Sequence, residues 1–423
     1  MRKGPVLDRD RWKAHARRVL GIAALAAVGL AWSAPPLQDP AQPAEPEGAA
    51  SAPAASTSAT RWLAGPTGSS MSLQEALEKA QDGDTIELLS GDYVGSWIIE
   101  ARRLTLRGMA GDKPAVFRGD GKPGAAKALL TVRGGEVRLE NLEFRGARSQ
   151  DGSAAGVRFE GGRLQVERCS FFDNEYGLFA LNDDKAELGI ERSAFGMAPR
   201  VVGGLHHLLN VGRIARLTVT ASRFQQGFEG HLIKTRAREN LLSYNFIHDG
   251  LRGGASLEID IANGGLATLI GNVIGQGADT QNQVLLAYGT EDRPWDRNRL
   301  VLAHNTFINH GWLPGWFLRV LDKNLPADVQ VIAVNNLLVG GGAFALGNPG
   351  TFEGNRHALR RMLRDADTQA FELAPGSSLR GQGVDPRRVG GLDLSPQAEF
   401  DWATGLKPLP KDLKRWSPGA FQN

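Results

Sequence analysis

Between residues 137 and 338 the chain repeats one phrase: alternating apolar and polar residues, a register residue, then a large apolar one. Successive copies read VRLENLEF, LQVERCSFF, LGIERSAF, LTVTASRF, LLSYNFI, TLIGNVI, LVLAHNTF and VIAVNNLL. The register residue falls at Leu142, Cys169, Ser193, Ser222, Asn245, Asn272, Asn305 and Asn336, at intervals of 27, 24, 29, 23, 27, 33 and 31. Alternation with period two predicts short strands. A drifting repeat of this length, with Gly-rich turns, predicts a solenoid whose all-β form is the parallel β-helix. The frame of a leucine-rich repeat is missing, and a propeller blade needs a longer period. Asn at one register position on four successive coils predicts a ladder in which each amide bonds to the next, satisfying polar groups inside the turn. One helical stretch, SLQEALEKA at residues 72–80, precedes the repeats. The expectation is an all-β right-handed parallel β-helix over residues 61–423. It has a capping helix, nine to ten coils up to about residue 350, and a looser C-terminal segment from about 351.

The first 60 residues have a different character. Residues 1–18 carry seven Lys/Arg, and an apolar run follows from Val19 to Trp32. That run suits the core of a signal peptide, with Ala31 and Ser33 as the small residues of a cleavage site, or a membrane anchor with Trp32 at the interface. Residues 34–60 hold six prolines among small and polar residues, a composition that reads as a flexible linker. Residues 1–33 are thus expected to export the body to the periplasm or cell surface, tethered through residues 19–32 if the segment stays uncleaved.

Composition narrows the function. The formal net charge of +3 belongs to the leader; without residues 1–33 there are 42 basic and 44 acidic side chains, a net of −2. Such a body lacks the electrostatic footprint of a nucleic-acid binder. Cys169 is the one cysteine, which excludes an intramolecular disulfide and a Cys-based zinc or redox motif. A monomer is expected.

In a β-helix one row of strands forms a long groove, and the most polar strands nominate it. His231 lies 14 residues before Asn245 and Glu258 lies 14 before Asn272, which predicts them as stacked neighbours, with Leu232 beside Ile259. Glu258 and Asp260, two apart on one strand, are expected to share a face. There they could hold a hard cation such as Ca²⁺, or act as acid and base across a glycosidic bond as in a glycoside hydrolase. Lys234, with Arg236 and Asn263 near it, adds candidate base and binding groups. Longer loops after Asn272 and Asn305 bring Tyr288, Trp312, Trp316 and Arg319, where aromatic faces suit sugar rings.

The stretch SLQEALEKAQDGDTIELLSGDY (72–93) resembles the capping helix and first coil of pectin-lyase-like right-handed parallel β-helices. PGSSLRGQGVDP (375–386) and SPGAFQN (417–423) are similar to the closing phrases of that superfamily. More locally, Lys234 followed by Asn240 and Asn245 is similar to the alginate lyase/chondroitinase B family of polysaccharide lyases, where a lysine ends a groove strand ahead of two Asn five apart. The first Asn here lies two residues further on, and Glu258-Ile259-Asp260 stands where that family has Arg-His-Gly. The resemblance implies an exported enzyme acting on an acidic, uronate-containing polysaccharide by β-elimination. Lys234 or His231 would be the base, Tyr288 or Arg319 the acid, Arg236, Asn263, Trp312 and Trp316 would bind substrate, and Glu258 and Asp260 would hold Ca²⁺. The alternative of another class is a non-catalytic β-helix that binds or organises envelope polysaccharide.

Overall fold

The structure is a computed structural model and describes residues 59–422, apart from 112, 345–348 and 404. The expected export segment and nearly all of the linker lie outside the described residues. Three long sheets of 12, 11 and 10 strands, here sheets 1, 2 and 3, are parallel throughout. Each coil visits them in turn, as with Glu239–Ser243 in sheet 1, Phe246–His248 in sheet 2 and Ile259–Ile261 in sheet 3. The fold is a right-handed parallel β-helix.

The turn from sheet 1 to sheet 2 carries the ladder. Asn245 Nδ2 donates to Asn272 Oδ1 at 2.9 Å, Asn272 to Asn305 at 2.9 Å, and Asn305 to Asn336 at 3.0 Å. Asn355 continues it as a further rung, 2.8 Å from Asn336 Nδ2. Each Oδ1 also accepts the backbone N–H of the rung before it, and each second amide hydrogen goes to a backbone carbonyl of an earlier strand, such as Leu242 or Leu269. The ladder continues toward the N-terminus with serines. Ser222 N donates to Asn245 Oδ1, and Ser193 N to Ser222 Oγ.

The residue before each rung takes a left-handed backbone conformation, at Arg192, Ala221, Tyr244, Gly271, His304 and Asn335 among others. Most of these are not glycine, so the turn holds side chains in a region they ordinarily avoid. The closed ladder offsets that cost.

Inside the coil, the large apolar residue of each phrase stacks on its neighbours. Phe117, Phe144, Phe171, Phe195 and Phe224 form a continuous column with centroids 4.4–5.1 Å apart. Ile247, Ile274 and Phe307 extend it in the same register. At the N-terminal end the helix Leu73–Lys79 opens with a capping box, Ser72 and Glu75 each bonding the other's backbone N–H, and buries Leu73, Ala76 and Leu77. Among the described residues no helix is long and apolar enough to cross a membrane.

Winding runs past residue 350, with Gly350–Glu353 in sheet 1 and Arg356–Ala358 in sheet 2. The chain then turns back along the outside as two antiparallel pairs. Leu363, Phe371 and Phe400 cover the outer face of sheet 2 at Phe246, Val273 and Ile308. Val389 and Leu394 cover sheet 1 at Val301, Ala303 and Val334. These two clusters cover the outer faces of sheets 1 and 2 over their later coils; at the centre of sheet 3 the outward residues are Asn210, Lys234 and Asp260 instead.

The ladder should dominate local stability. Asn305→Ala leaves the backbone N–H of Asn272 and the carbonyl of Leu269 buried without partners, and is expected to cost about 3 kcal/mol. Asn355→Ala, on the half-buried last rung, should cost about 1 kcal/mol. Denaturant midpoints that fall equally for both would contradict this account of the ladder.

Candidate functional site

The strands of sheet 3 alternate strictly at its centre. Ile233, Ile259, Leu286 and Leu318 point into the core, so the residues after them point out. Register places Lys234 beside Asp260, Asp260 beside Ala287 and Ala287 beside Arg319. In the other direction Lys234 adjoins Asn210, then Phe179, then Arg158. These side chains form one file along the outer face.

At the middle of the file charges converge. Lys234 Nζ lies 3.4 Å from Asp260 Oδ2 and 3.2 Å from Glu291 Oε1. Arg236 grips Glu291 with two bonds of 2.7 Å and reaches Asn210 Oδ1 at 3.3 Å. Thr290 donates its hydroxyl to Asp260 Oδ1 at 2.7 Å. His231 Nε2 stands 3.6 Å from the same Asp260 Oδ2 that Lys234 meets. Its ring stacks at 4.7 Å on His207, whose Nδ1 accepts the His231 backbone N–H at 2.8 Å. His207 in turn meets Tyr176 edge-on, and Tyr176 stacks on Phe179.

Burial sets the protonation states. Desolvation, aided by the nearby Lys234 and Arg236 charges, pushes the His231 imidazole down to about 3, and desolvation holds His207 well below the usual histidine range. Both rings are neutral at ordinary pH. Burial raises Asp260 above the usual carboxylate range, with Lys234 and the Thr290 hydroxyl partly opposing it. Burial also works against Glu291, but hydrogen bonds and charge from Arg236 and Lys234 outweigh it and bring that carboxyl down. The cluster thus brings together a lysine, an arginine, two carboxyl groups and two neutral imidazoles.

Several expected site residues stand elsewhere. Counting back from the ladder misplaces one coil by a residue, because Ile233, not Leu232, lies beside Ile259. Leu266 pairs with Glu239, yet Ile261 is five residues before Leu266 while Thr235 is four before Glu239. The extra residue sits in the Gly264-Gly265 turn, where both φ angles are positive, at 64° and 91°. Slipping a strand by one place exchanges its faces. Leu232 is therefore level with Glu258, at the bend leading into sheet 3, and both point inward.

Glu258 is fully buried, and neither carboxyl oxygen has a hydrogen-bond partner. It cannot share the groove face with Asp260. Desolvation first, then the neighbouring Asp249, raises its carboxyl well above the usual value. Asp249 itself is raised to about 7 by burial, though it accepts the N–H groups of Gly227 and Ala255. The paired-carboxylate cation site and the two-carboxylate hydrolase geometry both lose a member. Among the described residues no group of three or more His, Cys, Asp or Glu side chains comes together to hold a metal.

Tyr288 also belongs to the core, as an inward residue whose hydroxyl donates to Gly265 O at 2.5 Å and whose ionisation burial opposes. Asn263 and Arg213 lie at the edge of the cluster, Asn263 3.5 Å from Glu291, and Arg213 stacks on Trp295 at 3.7 Å. Trp316 packs against Leu257, Val284 and Ala287, next to Asp260 in the file, while Trp312 is 86% exposed. Arg319 is exposed on the file, three coils from Lys234. Glu291, Asn210 and His207 complete the cluster. Asn210 had a readable signal, as a lone polar residue between Leu209 and Val211.

No family model matches the sequence, and no curated protein does. Among solved structures the chain is similar to the pectate lyase Pel9A, with a TM-score of 0.59 and 14% identity, covering 86% of this chain and 97% of that one. A PL6 family alginate lyase, AlyGC, aligns at TM-score 0.40 and 16% identity over 72% of this chain and 40% of its own. An alginate lyase from Paenibacillus sp. aligns at 0.37 and 15% over 70% and 99%. At these identities the first likeness is one of fold: the chain shares the right-handed parallel β-helix of a polysaccharide lyase.

Glu258 gives a test of this placement. Glu258→Leu, between Leu232 and Leu285 in the same row, should stabilise the protein by about 1–3 kcal/mol near pH 8. Below the unfolded carboxyl's value both states hold the proton and the gain is small. As pH rises above that value the wild-type unfolded state ionises while the folded one resists, so wild-type stability is lost and the gain grows. Urea unfolding at about pH 4 and about pH 8 reads the difference. A destabilised variant at both would put Glu258 in a paired, polar setting instead.

Proposed function

We propose that this is an exported protein that cleaves an acidic polysaccharide by β-elimination on the outer face of sheet 3. The observation that carries the reading is the convergence of His231 Nε2 and Lys234 Nζ on one oxygen of Asp260, at 3.6 and 3.4 Å. Elimination at a uronate needs a base for the C5 proton, a cation for the adjacent carboxylate, and a proton for the departing oxygen. Neutral His231 takes the C5 proton. The C4–O4 bond breaks as the C4=C5 double bond forms, and the Lys234 ammonium protonates O4. Arg236, exchanging Glu291 for the substrate, holds the carboxylate in a bidentate grip. Asp260 keeps base and acid side by side and stabilises the imidazolium.

Arg319 has no place in that step, because three strand spacings of roughly 14 Å separate it from Lys234. A bridging Ca²⁺ does not fit these residues either. Lys234 Nζ fills the place between Asp260 and Glu291, and Glu258 faces the core. No step is therefore routed through a metal ion. The fold shared with a pectate lyase supports the polysaccharide class and the elimination chemistry.

One observation favours a second reading, a non-catalytic β-helix that binds envelope polysaccharide: the charges of the cluster already satisfy one another. Ultraviolet absorbance of unsaturated uronate products separates the two, across pectate, alginate, glucuronan and glycosaminoglycans. Binding with no product on any of them rejects the lyase.

Two further outcomes are expected if product forms. His231→Gln should lower kcat by about 10²-fold or more with little change in KM, whereas Arg236→Gln should act chiefly on KM. A base held down to about 3 stays neutral through the ordinary histidine range. The kcat profile should then be flat through pH 5–7 and fall only as pH drops toward about 3. An inflection near the unperturbed imidazole value of about 6.5 would remove His231 from the role.

A further inference from the structure

The file on sheet 3 has a charge rhythm. Taking Arg158 as position one, register puts Lys234 at position four and Arg319 at position seven. Positions two, three and six hold Phe179, Asn210 and Ala287, and position five holds Asp260, which repels an anion placed over it. Cations thus recur every third coil, roughly 14 Å apart. Arg319 is exposed, and Arg158 keeps about a quarter of its side chain exposed while leaning on Glu160 at 2.8 Å and over the Phe179 ring.

A polysaccharide lying along the groove meets one coil per sugar, since an extended pyranose advances by nearly one strand spacing. From this we infer that the groove selects a polymer whose carboxylates face the protein at every third sugar, and that Arg158 and Arg319 are its outer specificity determinants. The inference rests on the acidic-polysaccharide reading of the same site. A chain with a threefold screw, or with one uronate per trisaccharide, places its charges over positions one, four and seven. A flat twofold chain presents them at every second sugar, over positions two, four and six. Those positions offer an aromatic ring and a methyl group on either side of the one lysine, which gain nothing from a carboxylate.

The test uses heptasaccharides of galacturonate, glucuronate and mannuronate with free carboxylates at sugars 1, 4 and 7 only, or at 2, 4 and 6 only, the others being methyl esters. Calorimetric titration of the full chain is expected to give about tenfold or greater tighter binding for the first pattern on at least one backbone. R158Q/R319Q should abolish that preference and leave affinity for the second pattern unchanged, which also verifies that the variant is folded. Equal affinity for the two patterns, or a variant that weakens both alike, overturns the inference while leaving the acidic-polysaccharide reading standing. If fully charged heptasaccharides of all three backbones are neither bound nor cleaved, that reading fails and takes the inference with it.

Discussion

Parallel coils stay in register because one polar side chain per turn bonds to the next. In this chain that role belongs to the asparagine ladder from Asn245 to Asn355 and to the serines that precede it. A parallel sheet has no hairpin to set its pairing, so register must come from side chains or from turns of fixed length. The ladder fixes one corner of each coil from Ser193 to Asn355, and the phenylalanine column fixes the position two places further on in the coils from Phe117 to Phe224. The remaining corners are free to vary. Insertions accumulate there, and the charged cluster of sheet 3 lies beside them.

That division explains how the outer face of sheet 3 becomes a site. The C-terminal segment returns over the later coils of sheets 1 and 2, where Val, Ile and Leu face outward and need cover. The outward residues near the centre of sheet 3 are instead Asn210, Lys234 and Asp260, which need partners more than cover. Glu291 arrives from the loop after Val284–Tyr288 and supplies one, gathering Lys234 and Arg236. The cluster rests on three-residue strands paired in register with one another and anchored by the inward residues Leu209, Ile233 and Ile259. Its geometry is set before any ligand arrives, which is what a preorganised electrostatic site requires.

How much of this was legible follows from the same corners. The repeat, the ladder position and the β-helix could be read from the sequence, because asparagine recurs at a position whose burial demands amide pairing. The groove file could be read only as far as the nearest irregular turn. Between sheets 3 and 1 the Gly264-Gly265 turn holds one more residue than its neighbour, and counting backward across it moves Glu258 from the core to the groove. Alternation alone gave no warning, because Glu258 and Asp260 share a parity and only the bend separates their directions. Tyr288 misled for another reason. A phenol can serve as a core residue when its hydroxyl finds a carbonyl, and Gly265 O supplies one. Glu291 lies on a loop whose path depends on tertiary contacts, so no periodicity pointed to it.

On the proposed reading, a substrate carboxylate would meet cations that are already engaged. Lys234 and Arg236 share Glu291, and breaking that sharing costs part of what the new contact gains. Exchange is cheaper than creation, however, because the desolvation of both cations has been borne in folding. A ligand that offers one carboxylate can replace Glu291, whose carboxyl is about one-third exposed and can return to water, whereas Asp260 is nearly inaccessible and stays with Lys234 and His231. The two carboxylates therefore differ in kind. Glu291 is the partly exposed counter-ion shared by Lys234 and Arg236, and Asp260 is the buried one that the imidazole and the ammonium both face.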